Sequence, residues 1–199
     1  MRGFLRFVRE SSEDRVKFTA YDLLKIVLLI GSRGTVGRRI LSRELGIGEG
    51  VIRTILSRLK ERGYVEMSRD GYRLTEKGKN VYLKLKENLR IIDAIKLKSM
   101  RIWKTYSGVL IRGRANRVLN GVEQRDAAIK GGADGAITVK CSEDKLSMPG
   151  LEEYDEYWEL LDEVKSIFKP DNGDVIIIVG GKTRRAVRIG VINAALTLL

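Results

Sequence analysis

The sequence predicts an α+β fold in two parts, and three observations support this prediction. Residues 38–75 have the pattern of a short helix, a glycine-containing turn, a second helix and a hairpin. Residues 99–199 alternate apolar runs with amphipathic segments, which is typical of a small α/β domain with three to four strands. Residues 1–99 contain 23 Lys and Arg against 12 Asp and Glu, whereas residues 100–199 contain 15 against 14. We therefore expect two domains, residues 1–98 and 99–199.

The first domain is built around two helices that share an apolar core. The turn between them contains glycine, and the strands 64–68 and 72–75 follow, joined by the turn Arg69-Asp70-Gly71. Asp-Gly between two alternating runs is a strong hairpin pattern. Together these features predict a winged helix-turn-helix domain. The apolar positions recur every three or four residues, at Leu41, Leu45, Ile52, Leu56 and Leu59.

The polar face of the second helix is the predicted contact surface for double-stranded DNA, since the second helix of this motif enters the major groove. Arg53 is the best candidate for base reading, because its planar guanidinium matches two acceptors of guanine. Arg38 and Arg39 open the first helix, as phosphate contacts or as solvated surface residues. The full set of predicted DNA contacts is Arg38, Arg39, Glu49, Gly50, Val51, Arg53, Thr54, Ser57, Arg58, Arg69 and Arg73.

The run GIGEGVIRTILSRLKERGYVE, followed by YRLTEKG, resembles the recognition helix, wing and next helix of winged-helix transcription regulators. This resemblance covers about residues 20–90. The whole chain also resembles archaeal proteins that join such a domain to a C-terminal domain of unknown function. The resemblance implies a DNA-binding transcription regulator. A single Gln, no His and many Lys, Arg and Glu are in addition typical of a thermophilic source.

The remaining N-terminal elements follow in order. Residues 1–18 lack a clear period and are expected to form an arm or a short strand, with Arg2, Arg6 and Arg9 either contacting phosphate or solvated. Residues 21–30 predict a scaffold helix that ends at Gly31, and residues 35–36 a small strand. Thr75 is expected to cap a helix from residue 76 to about residue 97. The apolar stripe of that helix is either a dimer seam, which we favour, or a surface for the second domain. The stripe consists of Val81, Leu85, Leu89, Ile92 and Ile95.

The second domain is predicted to contain strands at residues 106–112, 136–141, 145–148 and 174–179, with helices at residues 122–130, 152–168 and 183–198. The run 174–179 is continuously apolar and is expected to be a central strand covered on both faces.

Two glycine-rich clusters are candidate sites for a small anionic effector. Gly180, Gly181, Lys182, Thr183 and Arg184 lie between a buried strand and a helix start, where backbone N–H groups favour an anion. The cluster is not a P-loop, since Ile176 occupies the position of the first glycine. Gln124, Arg125 and Asp126, with the glycines of 131–135, form the second cluster. The alternatives are a solvated glycine turn and a helix cap.

Composition excludes several kinds of site. The chain has no His and one Cys, Cys141, which rules out an imidazole base, a Cys-His pair, a Cys/His zinc site or an internal disulfide. We therefore predict no catalytic residue, no cofactor and no metal, and a cytoplasmic protein without membrane spans. The acidic run at residues 152–163 is expected to be a solvated helix face rather than a cation site. The alternatives are an enzyme in residues 100–199 using Lys182 or Asp126, and a winged domain that binds RNA or protein.

Overall fold

The computed structural model describes residues 1–13, 18–143, 145–151 and 157–199. The chain forms two compact units, Met1–Glu87 and Asn88–Leu199.

The N-terminal unit is a winged helix-turn-helix, as the sequence predicts. Its three strands form an antiparallel sheet in the order β1-β3-β2. The two-residue strand β1 was expected, and so was the cap of α5, where Thr75 Oγ1 accepts from the Gly78 N–H at 3.1 Å. The elements are α1 (Arg2–Glu13), α2 (Ala20–Arg33), β1 (Thr35–Val36), α3 (Arg38–Leu45), α4 (Glu49–Glu61), β2 (Val65–Ser68), β3 (Gly71–Leu74) and α5 (Glu76–Asn88).

Helix α1 corrects the prediction of an arm or strand at the N-terminus. Phe4 and Phe7 are buried, and their ring centroids lie 5.0 and 6.1 Å from that of Tyr64. Arg6, one of the expected phosphate contacts, pairs with Glu10 at 2.8 Å. The helix therefore completes the core of this unit with its apolar face.

Helix α2 continues past Gly31 and ends at Gly34, which corrects the predicted end. The ring of Tyr82 packs on Gly31 so closely that a Cβ there would lie 2.3 Å from Cδ2 of the ring. Glycine at this position therefore allows α5 to approach α2 rather than ending the helix. The start of α2 is fixed by Thr19 and Asp22, each accepting a hydrogen bond from the backbone of the other.

The predicted long helix after the wing is wrong beyond Asn88. Leu89 begins a strand, β4 (Leu89–Ile95), which pairs antiparallel with the next strand. Leu89, Ile92 and Ile95 therefore lie in a sheet, and the predicted helical dimer seam does not form.

The C-terminal unit contains a five-stranded, fully antiparallel sheet in the order β4-β5-β8-β6-β7, one strand more than expected. A 3₁₀ turn, Ala115–Arg117, follows β5. Residues 152–156, the start of the predicted acidic helix, lie outside the described residues. The elements after β4 are β5 (Thr105–Ile111), α6 (Val122–Lys130), β6 (Gly135–Ser142), β7 (Lys145–Ser147), α7 (Trp158–Phe168), β8 (Val175–Gly181) and α8 (Arg184–Leu196).

Helices cover both faces of this sheet. Ile176 and Ile178 of β8 belong to a buried cluster with Phe168 of α7. The neighbouring Val179 points to the other face, where its Cγ1 lies 3.0 Å from the position of a Cβ on Gly190 of α8. Helix α6 packs beside α8. β8 is buried along its whole length, as its apolar run predicts.

Candidate nucleic-acid interface and ligand sites

The turn between α3 and α4 is fixed by local hydrogen bonds. Gly46 ends α3 in the left-handed region, with φ 68°, a conformation that favours glycine. The hydroxyl of Ser42 donates to the carbonyl of Ile47 at 2.6 Å. These contacts set the angle at which α4 leaves the turn.

Helix α4 has one buried and one exposed face. Ile52, Ile55, Leu56 and Leu59 are buried in the core. The exposed side carries five of the predicted contacts, Glu49, Gly50, Arg53, Thr54 and Ser57. Arg53 makes no ion pair or hydrogen bond with any residue that the structure describes, so its guanidinium is available to a ligand.

Two predicted members of this face are placed differently. Val51 is half-buried. The guanidinium of Arg58 lies over the ring of Phe18, 5.2 Å from its centroid. A cation on an aromatic face is held by the ring quadrupole, so Arg58 is part of the packing of this unit. A contact of Arg58 with DNA stays a prediction.

The N-terminal ends of α3 and α4 lack side-chain caps. Their N-cap residues are Gly37 and Gly48, whereas Thr19 and Thr75 cap α2 and α5 with their hydroxyls. Backbone N–H groups at such an end are free to bind an anion.

Two arginines stand at the start of α3. Arg38 and Arg39 are exposed, and Arg39 approaches Glu49 at 3.8 Å. An exposed pair at this distance is weak, so Arg39 can exchange Glu49 for another anion.

The hairpin holds its two arginines in different environments. Arg69 lies in the two-residue turn between β2 and β3, is exposed and has no partner among the described residues. Arg73 stands opposite Glu66 in the sheet, and its Nε lies 2.8 Å from the carboxylate. Arg69 is therefore the better placed of the two to contact a phosphate.

The predicted anion site at the start of α8 is largely occupied by the protein itself. The indole of Trp103 covers Gly180, and Gly181 is buried against Ala133 and Asp134. The hydroxyl of Thr183 accepts from the N–H of Ala186 at 3.2 Å and so caps the helix. Lys182 and Arg184 are exposed. This region is a helix start packed against a glycine turn.

The second predicted cluster is divided between two roles. Gln124 is buried, and its amide donates to the hydroxyl of Thr197 at 2.8 Å, which joins α6 to the end of α8. Arg125 and Asp126 are exposed and pair with each other at 3.1 Å. The glycines of this cluster do meet the first cluster, since Gly135 pairs with Gly180 in the sheet. Its polar side chains do not, because Gln124 binds Thr197 beyond the end of α8 whereas Lys182 precedes the start of that helix.

A cavity of about 640 Å³ lies beside β6 instead. It is lined by parts of the 99–102 segment, the start of α6, strand β6, the turn after β7 and the start of α7. Of the predicted ligand residues only Arg125 contributes to it. Its walls come from five separate segments, so no local motif marks it.

The described residues contain no group of three His, Cys, Asp or Glu side chains arranged to hold a metal ion. No helix in this part of the chain is both long and apolar enough to cross a bilayer.

Comparisons with known proteins agree with this architecture. A family model described as the CggR N-terminal DNA binding domain matches residues 19–89, and one described as a domain of unknown function (DUF4443) matches residues 102–198. Among solved structures, the chain is similar to the hypothetical protein PH0730 from Pyrococcus horikoshii OT3. The TM-score is 0.70, with 26% sequence identity over 92% of this chain and 93% of that chain. No curated protein matches the sequence. The chain therefore joins an N-terminal DNA-binding domain to a C-terminal domain of unknown function.

Proposed function

We propose that the protein is a transcription regulator that reads double-stranded DNA with the exposed face of α4. The observation that carries the proposal is the exposed guanidinium of Arg53, which pairs with none of the described residues. It lies on a helix within the segment that the DNA-binding family model matches. A recognition helix places its N-terminal residues on base edges, and Arg53 is in the second turn of α4.

The other contacts divide by chemistry. Gly50, Thr54 and Ser57 are small and share the exposed face with Arg53, so they allow the helix to enter the groove. Three arginines, Arg38, Arg39 and Arg69, have no strong partner in the described part of the chain. They are proposed to bind phosphates, together with the uncapped N–H groups of α3 and α4.

Charge supports a phosphate partner. Residues 1–87 contain 20 Lys and Arg against 11 Asp and Glu, so the unit that holds α4 has most of the excess positive charge of the chain. Neutralising phosphates releases counterions and drives binding.

The test is selection of duplexes from fragmented genomic DNA, followed by affinity measurements on the selected and a scrambled duplex. Arg53→Ala is expected to weaken binding to the selected duplex by about 1–3 kcal/mol and to scrambled DNA much less. Lys60→Ala removes a charge from the same helix and serves as the control. We expect it to weaken both duplexes equally.

Equal affinity of the native protein for both duplexes would contradict base reading by α4. Tighter binding to structured RNA than to any duplex would favour the RNA alternative.

The remaining parts of the proposal concern the state of the regulator. We propose a cytoplasmic homodimer, since one helix-turn-helix offers few base contacts and two-fold proteins read two half-sites. Analytical ultracentrifugation with and without DNA tests the dimer.

The C-terminal domain is proposed to bind a small anionic effector rather than to catalyse a reaction, since Asp126 is already paired with Arg125 and Lys182 lies on an exposed turn.

A further inference from the structure

We propose that the cavity beside β6 binds a small molecule with an anionic group and an apolar body. This inference rests on the effector part of the proposed function and gives it a location and a ligand class. It does not depend on DNA binding, and its test uses none.

The floor of the cavity is an open strand edge. In β6 the N–H of Cys141 donates to the backbone carbonyl of Asp174 at 2.9 Å, on the β8 side. Lys140 and Ser142 are paired with β7 on the other side. Backbone groups of an antiparallel strand alternate between its two neighbours. The N–H and C=O of Ala136 and Thr138 therefore point to the outer edge, beyond the end of β7.

Proline explains why β7 does not continue along this edge. Continuing the β6–β7 register places Pro149 opposite Thr138, and proline has no N–H to donate. Pro149 and Gly150 form a turn, closed by a hydrogen bond of 2.9 Å from the N–H of Leu151 to the carbonyl of Met148. Gly150 has φ 84°, as the third residue of a type II turn requires. The chain thus leaves β6, and the polar edge faces the cavity.

The wall next to this edge combines a helix N-terminus with an unsatisfied hydroxyl. Helix α6 begins after Gly121, which has φ 77° and no side chain to cap the helix. The Oδ1 of Asn120 accepts from the N–H of Val122 at 3.1 Å, so one of the first N–H groups of the helix is already bonded. Thr138 is only 6% exposed, and its Oγ1 has no hydrogen-bond partner among the residues that the structure describes. A Cβ added to Gly121 would lie 3.3 Å from this Oγ1, so the hydroxyl is next to the residue that precedes α6. The side chain of Thr138 can rotate about χ1 between staggered positions, and each position directs its hydroxyl to a different side. An anion at the start of α6 would supply the missing partner.

Among the lining residues that the structure describes, the charged side chains favour an anion at the start of α6. Arg101 is exposed and forms no ion pair with any described residue. Arg125 also forms an ion pair with Asp126, at 3.1 Å. Glu159 is the acidic side chain among the described lining residues. The positive end of α6 adds to the two arginines.

The opposite requirement, an apolar body, follows from the rest of the lining. Ile102 is 69% exposed, Val122 40% and Leu151 39%, and all three border the cavity. Large apolar side chains that face a common space lose contact with water when a ligand fills it. A volume of about 640 Å³ accommodates a molecule of two or three rings.

The experiment compares two dyes that differ in one group. 8-Anilino-1-naphthalenesulfonate carries the anion, and N-phenyl-1-naphthylamine has the same rings without it. Fluorescence titration of the full chain is expected to show tighter binding of the sulfonate, by about tenfold, because charge-assisted hydrogen bonds are the strong ones.

Matched variants locate the site. Arg101→Gln is expected to lower sulfonate affinity by about tenfold without changing affinity for the neutral dye. Lys104→Gln removes a charge from the same segment but not from the cavity lining, and should change neither. Thr138→Val is expected to weaken the sulfonate by about threefold while leaving the melting temperature unchanged or higher, because it removes an unsatisfied hydroxyl. Thr105→Val is its control.

Several results would overturn the proposal. They are equal affinity for the two dyes, equal losses in Arg101→Gln and Lys104→Gln, and undiminished sulfonate binding in Thr138→Val. Backbone amide shifts of Gly121 and Thr138 on titration provide an independent readout, and shifts confined to residues 1–87 would place the dye elsewhere. None of these results bears on whether α4 binds DNA.

Discussion

The indole of Trp103 lies directly on the backbone of Gly180. A Cβ at Gly180 would stand 1.9 Å from Cε3 of the ring, and one at Gly135, its neighbour on β6, 2.7 Å from Cζ2. The backbone N–H of Trp103 donates to the hydroxyl of Tyr106 at 2.9 Å, which anchors this segment to β5. The absence of a side chain at Gly180 therefore lets an aromatic ring of the same domain pack on its backbone.

Replacing Gly180 by Ala is expected to destabilise the protein by about 1–3 kcal/mol, since an added methyl in a packed site forces its neighbours to move. Urea unfolding followed by circular dichroism measures this cost. In a Trp103→Ala background the added cost of Gly180→Ala should fall below about 1 kcal/mol, because the clashing ring is gone. An unchanged cost in that background would contradict the contact.

Alanine at two helical glycines is expected to act in opposite directions. Gly50 has nothing within 4 Å of a Cβ, so Gly50→Ala should stabilise the N-terminal unit by about 0.5–1 kcal/mol. Gly31→Ala should destabilise it by about 1–3 kcal/mol, because Tyr82 occupies the space. Thermal unfolding of both variants checks this, and stabilisation by Gly31→Ala would show that Tyr82 moves away freely.

The two arginines of the hairpin should differ in their effect on DNA affinity. Arg69→Ala is expected to weaken binding to all duplexes and to reduce the slope of log affinity against log salt by about 1. Arg73→Ala should change the slope less, because Glu66 already neutralises that guanidinium. Fluorescence anisotropy at four salt concentrations measures both. Equal slopes for the two variants would show that the Glu66 pair opens on DNA.

Acid should weaken the contact between Glu163 and the 98–99 segment. Burial alone raises the pKa of Glu163, but hydrogen bonds from the hydroxyl and N–H of Ser99 and the N–H of Lys98 lower it below the ordinary 4.5. A carboxyl whose folded pKa is lowered contributes stability above its unfolded pKa and loses it as pH falls through the folded value.

The expected result is that Glu163→Gln is less stable than the native protein at pH 6, and that this difference shrinks below pH 4.5. Urea unfolding at pH 6, 4.5 and 3 measures it. Asp162→Asn, on the exposed face of the same helix, is the control, because it removes a carboxylate without removing the bonds of Glu163 to Lys98 and Ser99. A constant difference for Glu163→Gln across the range would refute the assignment.

The helix-turn-helix was predictable because its pattern is local. Spacings of three and four residues place Leu41, Leu45, Ile52 and Leu59 on buried faces, and the Asp-Gly turn marks the hairpin. Helix α1 has the same kind of pattern at Phe4, Leu5, Phe7, Val8 and Ser11, which interspersed arginines obscure.

Strand β4 was missed because an irregular strand can imitate a helical period. Ile92 and Ile95 both pack on the face covered by α7, although an even spacing would be required in a regular strand. The register shifts between them, with Ala94 at φ 55°. The extra residue of this bulge increases the spacing between inward-facing residues from two to three. The apolar positions 85, 89, 92 and 95 therefore fit a helix as well as a strand.

The ligand residues could not be predicted for a different reason. Glycines and charged neighbours make the segments around Gly180 and Gln124 stand out in the sequence. In the structure Gly180 lies under the indole of Trp103, and Gln124 binds Thr197 inside the domain. Arg101, Gly121 and Thr138 carry no recognisable motif. Only the folded sheet brings them to one cavity.

The position of Pro149 has a further consequence for solubility. An outer strand with free peptide groups is a template on which another polypeptide can deposit, which begins edge-to-edge aggregation. Because the register places Pro149 opposite Thr138, the hairpin cannot extend itself along β6, and the stretch of β6 that β7 leaves uncovered is only residues 135–139. The domain thus keeps peptide groups available without offering them to its neighbours in a concentrated solution.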